Sequence, residues 1–416
     1  MNKNKRLIKE NLILFLAITF ANLLNYLFHF YVGRILGPEE YGVFGVLLSI
    51  VYLLVMPLMA VQTIFSKYVA ELKVDSNEKK ISYLFYRSFR KILFVGIIFS
   101  IIFLMISPFL SHFLKIGSVT PLIILGISIT FIFLIPLLRG FIQGLQNFPL
   151  LGATFISEGL TKVILGVPLV LLGFGITGAI GAFAISFFLP FIILSYFLRK
   201  MLTRDREKFD TSKIYGYSFL VIIMLVSLTG FYTTDLILVK LFLDPIEAGY
   251  YAALSLFGKI IFFASMSISM VMFPKLSELN LQKKDTRTLL LKSVLIAVVL
   301  GGIISLFYFL IPTFIIGLLF GGGYLLISNL LWIFGIMMTI YSIVYLLSYY
   351  NMALHRESFL YLLFSFNLLQ TILIILFHKT ITQVVVSLII VMSLLFLGMV
   401  VYTLKNEKSI DNYSGI

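Results

Sequence analysis

The sequence predicts an all-α polytopic membrane protein: twelve transmembrane helices in two parallel six-helix lobes around a central cavity. Three observations predict it. Hydrophobic residues make up 60% of the 416 residues and mean hydropathy is +1.08, where soluble domains are about 45–50% apolar. Long apolar runs recur from end to end, roughly twice the length of a barrel strand and without its period-two alternation. The chain also repeats itself at one constant offset, about half its length. Pro38, Glu40 and Gly42 recur as Pro245, Glu247 and Gly249, and at the same offset Ala70-Glu71-Leu72 matches Ser277-Glu278-Leu279. Pro, Glu and Gly are scarce in such a chain, so their agreement without a gap marks an internal duplication, a signature of transporter folds.

The apolar runs give twelve spans. Spans 1 to 6 cover about residues 10–33, 41–66, 90–111, 120–145, 151–173 and 176–198. Spans 7 to 12 cover about residues 214–241, 247–273, 289–311, 325–353, 358–377 and 382–404. The N-terminal lobe is residues 1–202, the cytoplasmic linker 203–213 and the C-terminal lobe 214–416. Six spans per half give the halves the same orientation, as parallel repeats. The N-terminal Lys3, Lys5, Arg6 and Lys9 precede a run too long for a signal peptide, with no small-residue cleavage site after it, so span 1 is expected to be retained.

Loop charges test the count. Arg34, Lys115, Lys240 and Lys379 are the only basic residues on one side, and Lys162 and Lys259 lie inside spans. All the other Lys and Arg fall at the termini or in loops after even-numbered spans, so both termini are expected to be cytoplasmic in a multi-pass cell-membrane protein. The same segregation explains the net charge of +14 without a nucleic-acid partner. The chain has no cysteine, which excludes disulfides, thiolate metal sites and cysteine nucleophiles. His29, His112, His355 and His378 show no metal-ligand spacing. Gly321-Gly322-Gly323 lacks a following Lys-Ser/Thr and reads as a turn. No cofactor is expected, and the protein is expected to be a monomer among membrane lipids.

Ionisable groups at mid-membrane cost about 2.5–3.5 kcal/mol each, so the few present are the candidate site. Asn22, Asn25 and His29 share one face of span 1. The repeat brings His29 near the position of Asp235 in span 7. These groups either line a cavity or bond between helices within a lobe. Glu158 and Lys162 are spaced i, i+4 with Glu first, the favourable order for an ion pair. They are either a self-neutralised pair or a pair that opens for an anion. The repeat puts Asn367 and Gln370 of span 11 on the corresponding stretch. Lys259, in span 8, has no acid three or four residues away and is the first candidate for an anion contact. Arg139, near the cytoplasmic end of span 4, either meets an anion or marks topology. Gln62 is a further lining candidate.

Several stretches resemble the polysaccharide biosynthesis and export family, the oligosaccharide flippases of the multidrug/oligosaccharidyl-lipid/polysaccharide exporter superfamily. They are Arg34-Ile35-Leu36-Gly37-Pro38-Glu39-Glu40-Tyr41-Gly42, Gly140-Phe141-Ile142-Gln143-Gly144-Leu145-Gln146, Thr234-Asp235 followed by Ala248-Gly249-Tyr250-Tyr251-Ala252-Ala253, Phe273-Pro274-Lys275-Leu276, and Leu319-Phe320-Gly321 before Tyr324. The resemblance covers nearly the whole chain, and the order of the motifs carries it. It implies a transporter rather than an enzyme, moving a polyprenyl-diphosphate-linked oligosaccharide or polysaccharide precursor to the outer leaflet by alternating access. A proton or sodium ion is a possible coupling partner. The alternatives are a cation-coupled multidrug exporter of the same superfamily, for which Asp235 is available, and a membrane sugar polymerase or ligase, which would need charged outer loops that this chain lacks.

Overall fold

The computed structural model describes residues 3–74, 77–210, 212–282 and 284–413. Side chains of residues 1–11, 211–218 and 407–416, and several between 270 and 283, lie outside the described residues, and with them the N-terminal basic cluster, Pro274 and the repeat partners Ser277 and Glu278. Every regular element among the described residues is helical. Helix α1 is Lys3–Val74, α2 Glu78–Phe113, α3 Thr120–Gly144, α4 Phe148–Leu169 and α5 Gly175–Leu198, followed by the single turn α6, Lys200–Thr203. Then come α7 Ser212–Phe231, α8 Thr234–Phe242, α9 Pro245–Leu281, α10 Arg287–Leu310, α11 Pro312–Leu319, α12 Ser328–Ala353, α13 Phe359–Leu376 and α14 Ile381–Tyr413.

Ten helical stretches are long and apolar enough to cross a membrane, and two of them run to 63 and 51 residues. A straight helix of the greater length would span about 95 Å, three times the hydrocarbon core. Both reverse instead. Gly37 sits at φ 74°, ψ 175°, a region open to glycine alone. The ring of Phe28 then meets that of Phe44 at 5.8 Å, where sixteen residues of continuous helix would separate them by about 24 Å. The second reversal uses a wide turn, Val170–Phe174, with positive φ at Gly173 and Gly175. It returns Phe183 to within 4.8 Å of the Lys162 ammonium. Divided at these reversals, the ten stretches give twelve apolar segments.

The duplication is visible in the backbone. Pro38 opens the second arm of α1 after its break, and Pro245 opens α9 after the break that ends α8. The first break turns on a left-handed glycine; the second uses extended Leu243, at φ −91° and ψ 167°. Proline suits both positions, because the first turn of a helix has no use for its missing N–H.

Helices outrun the hydropathy at their basic ends. α2 starts at Glu78, well before the apolar run near residue 90, and α9 continues to Leu281. The opposite departure occurs in span 7, which is interrupted at Tyr232 and Thr233 between α7 and α8. The interruption is hydrogen-bonded internally: the Thr233 hydroxyl donates to Thr229 O at 2.8 Å, and Gln370 donates to Phe231 O at 3.1 Å. Lys240, expected in a loop, is buried in the last turn of α8. Outside the spans, Asp285 prepares α10 by accepting bonds from the Thr288 hydroxyl and the Arg287 amide, which hold its carboxyl below its ordinary range.

The chain forms two compact units, Met1–Ile222 and Ile223–Ile416. Within the first, α4 lies against the first arm of α1 along a glycine seam. A Cβ at Gly152 would stand 2.8 Å from Ala17 Cβ, and one at Gly159 3.0 Å from Leu24 Cβ, while Gly166 faces the buried ring of Phe28. Small residues let membrane helices approach closely without a hydrophobic driving force, and this seam sets the distance between α4 and α1. We expect Gly159→Ala and Gly166→Ala each to destabilise the protein by about 1–3 kcal/mol through overpacking. Gly398→Ala in α14, where a Cβ meets nothing within 4 Å, should cost nothing. Thermal unfolding in detergent measures both.

Candidate functional site

The first unit contains a buried charged cluster built by three elements. Glu158 and Lys162 stand one turn apart on α4, and their side chains meet at 2.8 Å as the i, i+4 spacing predicts. Arg139 comes from α3 and reaches the other oxygen of the same carboxylate, also at 2.8 Å. Asn25, from the first arm of α1, accepts from the Lys162 ammonium at 2.9 Å. Arg139 is fixed further by Thr154, to whose hydroxyl and carbonyl it donates at 3.2 and 3.1 Å. Both cations lie over aromatic faces. The Arg139 guanidinium is 3.9 Å from the Phe155 ring centre, and the Lys162 ammonium is 4.8 and 5.5 Å from those of Phe183 and Phe187.

Arg139 and Lys162 are 6% and 5% exposed, so their charge is held out of water. One carboxylate serves two cations, and the cluster keeps one formal positive charge in excess. In a low-dielectric site that excess is an electrostatic attraction for an anion. Arginine presents a planar fork suited to phosphate oxygens, and lysine a mobile point charge.

The second unit places Asp235 and Lys259 together. Asp235 lies in the first turn of α8, just past the interruption of span 7. It accepts from the Tyr251 hydroxyl at 2.5 Å and from the Leu236 amide at 2.7 Å. Lys259, two turns after Tyr251 on α9, acts on the Asp235 carboxylate as the opposing charge and stands 5.7 Å from the Tyr232 ring. Both are buried. The sequence left Lys259 without an acid three or four residues away; the fold brings one within electrostatic reach from α8. This pair is formally neutral.

The remaining candidates form separate pairs. His29 bonds Tyr41 at 3.2 Å across the Gly37 reversal, and Gln62 donates to Gln143 at 2.9 Å, joining the second arm of α1 to α3. Asn22, on the expected polar face of span 1, is exposed. Sequence reasoning missed Thr154, Phe155 and the Phe183–Phe187 pair in the first unit, and Tyr251 in the second. Two had a readable signal: Thr154 precedes Glu158, and Ser255 and Tyr251 precede Lys259, at four-residue steps along one helix face. The aromatic partners come from packing alone. Among the described residues no group of three or more His, Asp or Glu could hold a metal ion.

This fold is shared with solved membrane transporters. The structure aligns with the inward-facing form of a multidrug resistance MATE family transporter of the MOP superfamily. That match has a TM-score of 0.75 and 14% identity, covering 93% of this chain and 96% of the other. It also aligns with a MOP superfamily transporter from Pyrococcus furiosus, whose binding pocket is described as reversed in polarity and suggestive of a different function. There the TM-score is 0.69 at 13% identity, covering 97% and 96% of the two chains. A family model described as "Polysaccharide biosynthesis protein" matches residues 7–280, and the chain belongs to that family. An uncharacterized membrane protein of Methanocaldococcus jannaschii is 24% identical over 305 residues, covering 65% of this chain and 68% of that protein. The protein is thus a multi-pass membrane protein with a transporter fold, as the sequence predicts.

The shared carboxylate makes the cluster's energetics unequal. Glu158→Gln leaves two buried cations facing one another without an acid, and breaking a buried pair in this way costs about 3–5 kcal/mol. Lys162→Met leaves the Arg139–Glu158 pair whole. We expect Glu158→Gln to be the more destabilising by thermal unfolding, and Glu158→Gln combined with Lys162→Met to recover part of the loss.

Proposed function

We propose that the protein is a flippase. It moves a polyprenyl-diphosphate-linked oligosaccharide or polysaccharide precursor from the cytoplasmic to the outer leaflet by alternating access, in a cell membrane with both termini cytoplasmic. The lobes 1–202 and 214–416, joined by the linker 203–213, are the bodies such a cycle would move. One observation carries the reading: the Arg139–Glu158–Lys162 cluster is buried between helices long and apolar enough to cross a membrane, with two cations to one carboxylate. A buried excess charge is expensive, and an anionic cargo offsets that cost. Membership of the polysaccharide biosynthesis family supports a lipid-linked sugar as that cargo.

In this reading the diphosphate engages Arg139 and Lys162, and Lys162 exchanges Glu158 and Asn25 for phosphate oxygens. Charge-assisted bonds of this kind are about twice as strong as neutral ones. Lys259 is a second contact, reached when Asp235 turns to Tyr251 alone. His29 and Gln62 are polar groups for the sugar. The membrane potential is worth about 2.3 kcal/mol per charge per 100 mV and favours outward movement of an anion from a negative interior. A proton or sodium ion at Asp235 is the alternative drive.

The second reading is a multidrug exporter, favoured by the likeness to MATE transporters. It needs an acid available to a cationic drug. Asp235 is the candidate, and it is already opposed by Lys259. For the Pyrococcus furiosus transporter of the same fold, reversed polarity of the binding pocket is described as suggesting a different function, so the shared fold does not by itself select this reading.

The test is transfer of a fluorescent polyprenyl-diphosphate sugar across liposomes by the purified protein. We expect Lys162→Met to slow it about tenfold, the loss of roughly 1.4 kcal/mol of binding to the diphosphate, and Lys162→Arg to retain it. Unchanged transfer in both Lys162→Met and Arg139→Met would overturn the anion site. Export of an organic cation without lipid transfer would establish the second reading.

A further inference from the structure

We propose that one face of α2 is a binding site for an anionic phospholipid of the bilayer, with the headgroup held between α2 and the linker. The groove begins at the basic end of α2, where Tyr83, Tyr86, Arg87 and Arg90 line it, and continues to Phe94 and Ile97. Arg87 donates to the Tyr83 hydroxyl at 2.9 Å and Arg90 to that of Tyr86 at 3.0 Å. From the linker, Arg206 lays its guanidinium 3.6 Å over the Tyr86 ring.

The neighbouring acids are already occupied. Glu78 pairs with Arg204 at 2.5 Å, Glu207 with Lys80 at 3.3 Å and Asp205 with Lys79 at 3.7 Å. These bonds, with the Glu207 amide on Lys79 O and Phe209 edge-on to Tyr83, strap residues 204–209 onto α2. Among the described residues no ion pair places a carboxylate on Arg87, Arg90 or Arg206, which bond tyrosine hydroxyls and a backbone carbonyl instead. Arg90 and Arg206 thus meet on Tyr86 from two elements, and Arg87 lines the same groove one turn away, a set of guanidinium groups that complements a phosphate monoanion or diester.

The apolar half of the face decides between a lipid and a soluble anion. Residues 90, 94, 97, 101 and 105 follow one another at three- and four-residue steps, so they form a single stripe along the helix. Phe94, Ile97, Ile101 and Met105 are 66%, 42%, 52% and 76% exposed. From Phe94 to Met105 the helix rises about 16 Å, roughly half of the hydrocarbon thickness. That stripe, part of a wider exposed apolar surface that includes Val95, Ile98 and Ile102, has the length of one acyl chain in one leaflet and begins at the guanidinium groups. The groove is open along one helix face and would not enclose a sugar, so a bilayer phospholipid fits it better than the proposed cargo. A headgroup there bridges Arg87 and Arg90 to Arg206, and so fastens the linker to the first unit.

The experiment uses the full chain in nanodiscs and by native mass spectrometry. The probes are phosphatidylglycerol, phosphatidylcholine and inorganic phosphate. Basic residues near a membrane surface contribute enough that each of Arg87→Gln, Arg90→Gln and Arg206→Gln should weaken phosphatidylglycerol binding about fivefold, and a double variant about 25-fold. Lys379→Gln, a cation elsewhere, should leave it unchanged. In the unmutated protein, phosphatidylglycerol should slow tryptic cleavage after Arg204 and Arg206 relative to phosphatidylcholine, which keeps the proposal open to test should a variant fail to fold. Equal binding of the two lipids, or headgroup preference surviving in the triple variant, would overturn the site. Inorganic phosphate competing as strongly as the lipid would overturn the acyl track.

Discussion

Hydrocarbon solvates neither a backbone amide nor a charge, and the rest of this structure follows from that. Each crossing must satisfy its own N–H and C=O groups, so each is a helix. Where a helix stops at membrane depth, something must replace the lost bonds. At Tyr232 and Thr233 the replacements are the Thr233 hydroxyl and the Gln370 amide. Where a charge is buried, it must be opposed. Glu158 and Lys162 oppose each other directly, and Asp235 and Lys259 act on one another as opposite charges. Arg139, at the end of its span, joins the same arrangement.

The two halves meet this demand with one backbone plan and two chemistries. In the first unit, α4 is tied to the first arm of α1 by an ammonium on an asparagine, Lys162 to Asn25. In the second, α13 is tied to α7 by amides on backbone carbonyls, Asn367 to Ser227 at 2.8 Å and Gln370 to Phe231. The same helix pair is bridged at the same height of the repeat. A charge in one copy stands where a neutral amide stands in the other. The repeated stretches thus carry different polar groups, an ammonium with a carboxylate in the first unit and neutral amides in the second.

Much of the fold was legible because hydropathy reports the part of a helix that lies in lipid. The span near residues 358–377 and α13 differ by a residue at each end. Where a helix leaves the hydrocarbon the signal ends and the helix does not, which is why the first twelve residues of α2 and the tail of α9 were invisible. The interruption in span 7 was invisible for a different reason. Thr233, Thr234 and Asp235 compete for backbone bonds, but whether they win depends on Gln370, more than a hundred residues away. The candidate site divides in the same way. Glu158 and Lys162 were readable as a pair because they share a helix. Arg139 and Asn25 join them, and Asp235 joins Lys259, only through packing between helices, which leaves no periodic trace.

That packing changes what the charges mean. Counted along the chain, the membrane-depth groups Glu158, Lys162, Asp235 and Lys259 cancel, and nothing favours one sign of cargo. Counted after folding, Asp235 and Lys259 act on one another as opposite charges within the second unit, while Arg139, entering from the end of α3, gives the Glu158–Lys162 cluster a positive excess. A cationic drug arriving at Asp235 would meet the like charge of Lys259, which already acts on that carboxylate. An anion arriving at the first unit displaces nothing it does not replace, since its oxygens substitute for Glu158 and Asn25 on Lys162 while Arg139 keeps the carboxylate. The charge arrangement is therefore set by which helix each partner comes from rather than by how many charges the chain contains, and it is this arrangement on which the proposed anionic cargo rests.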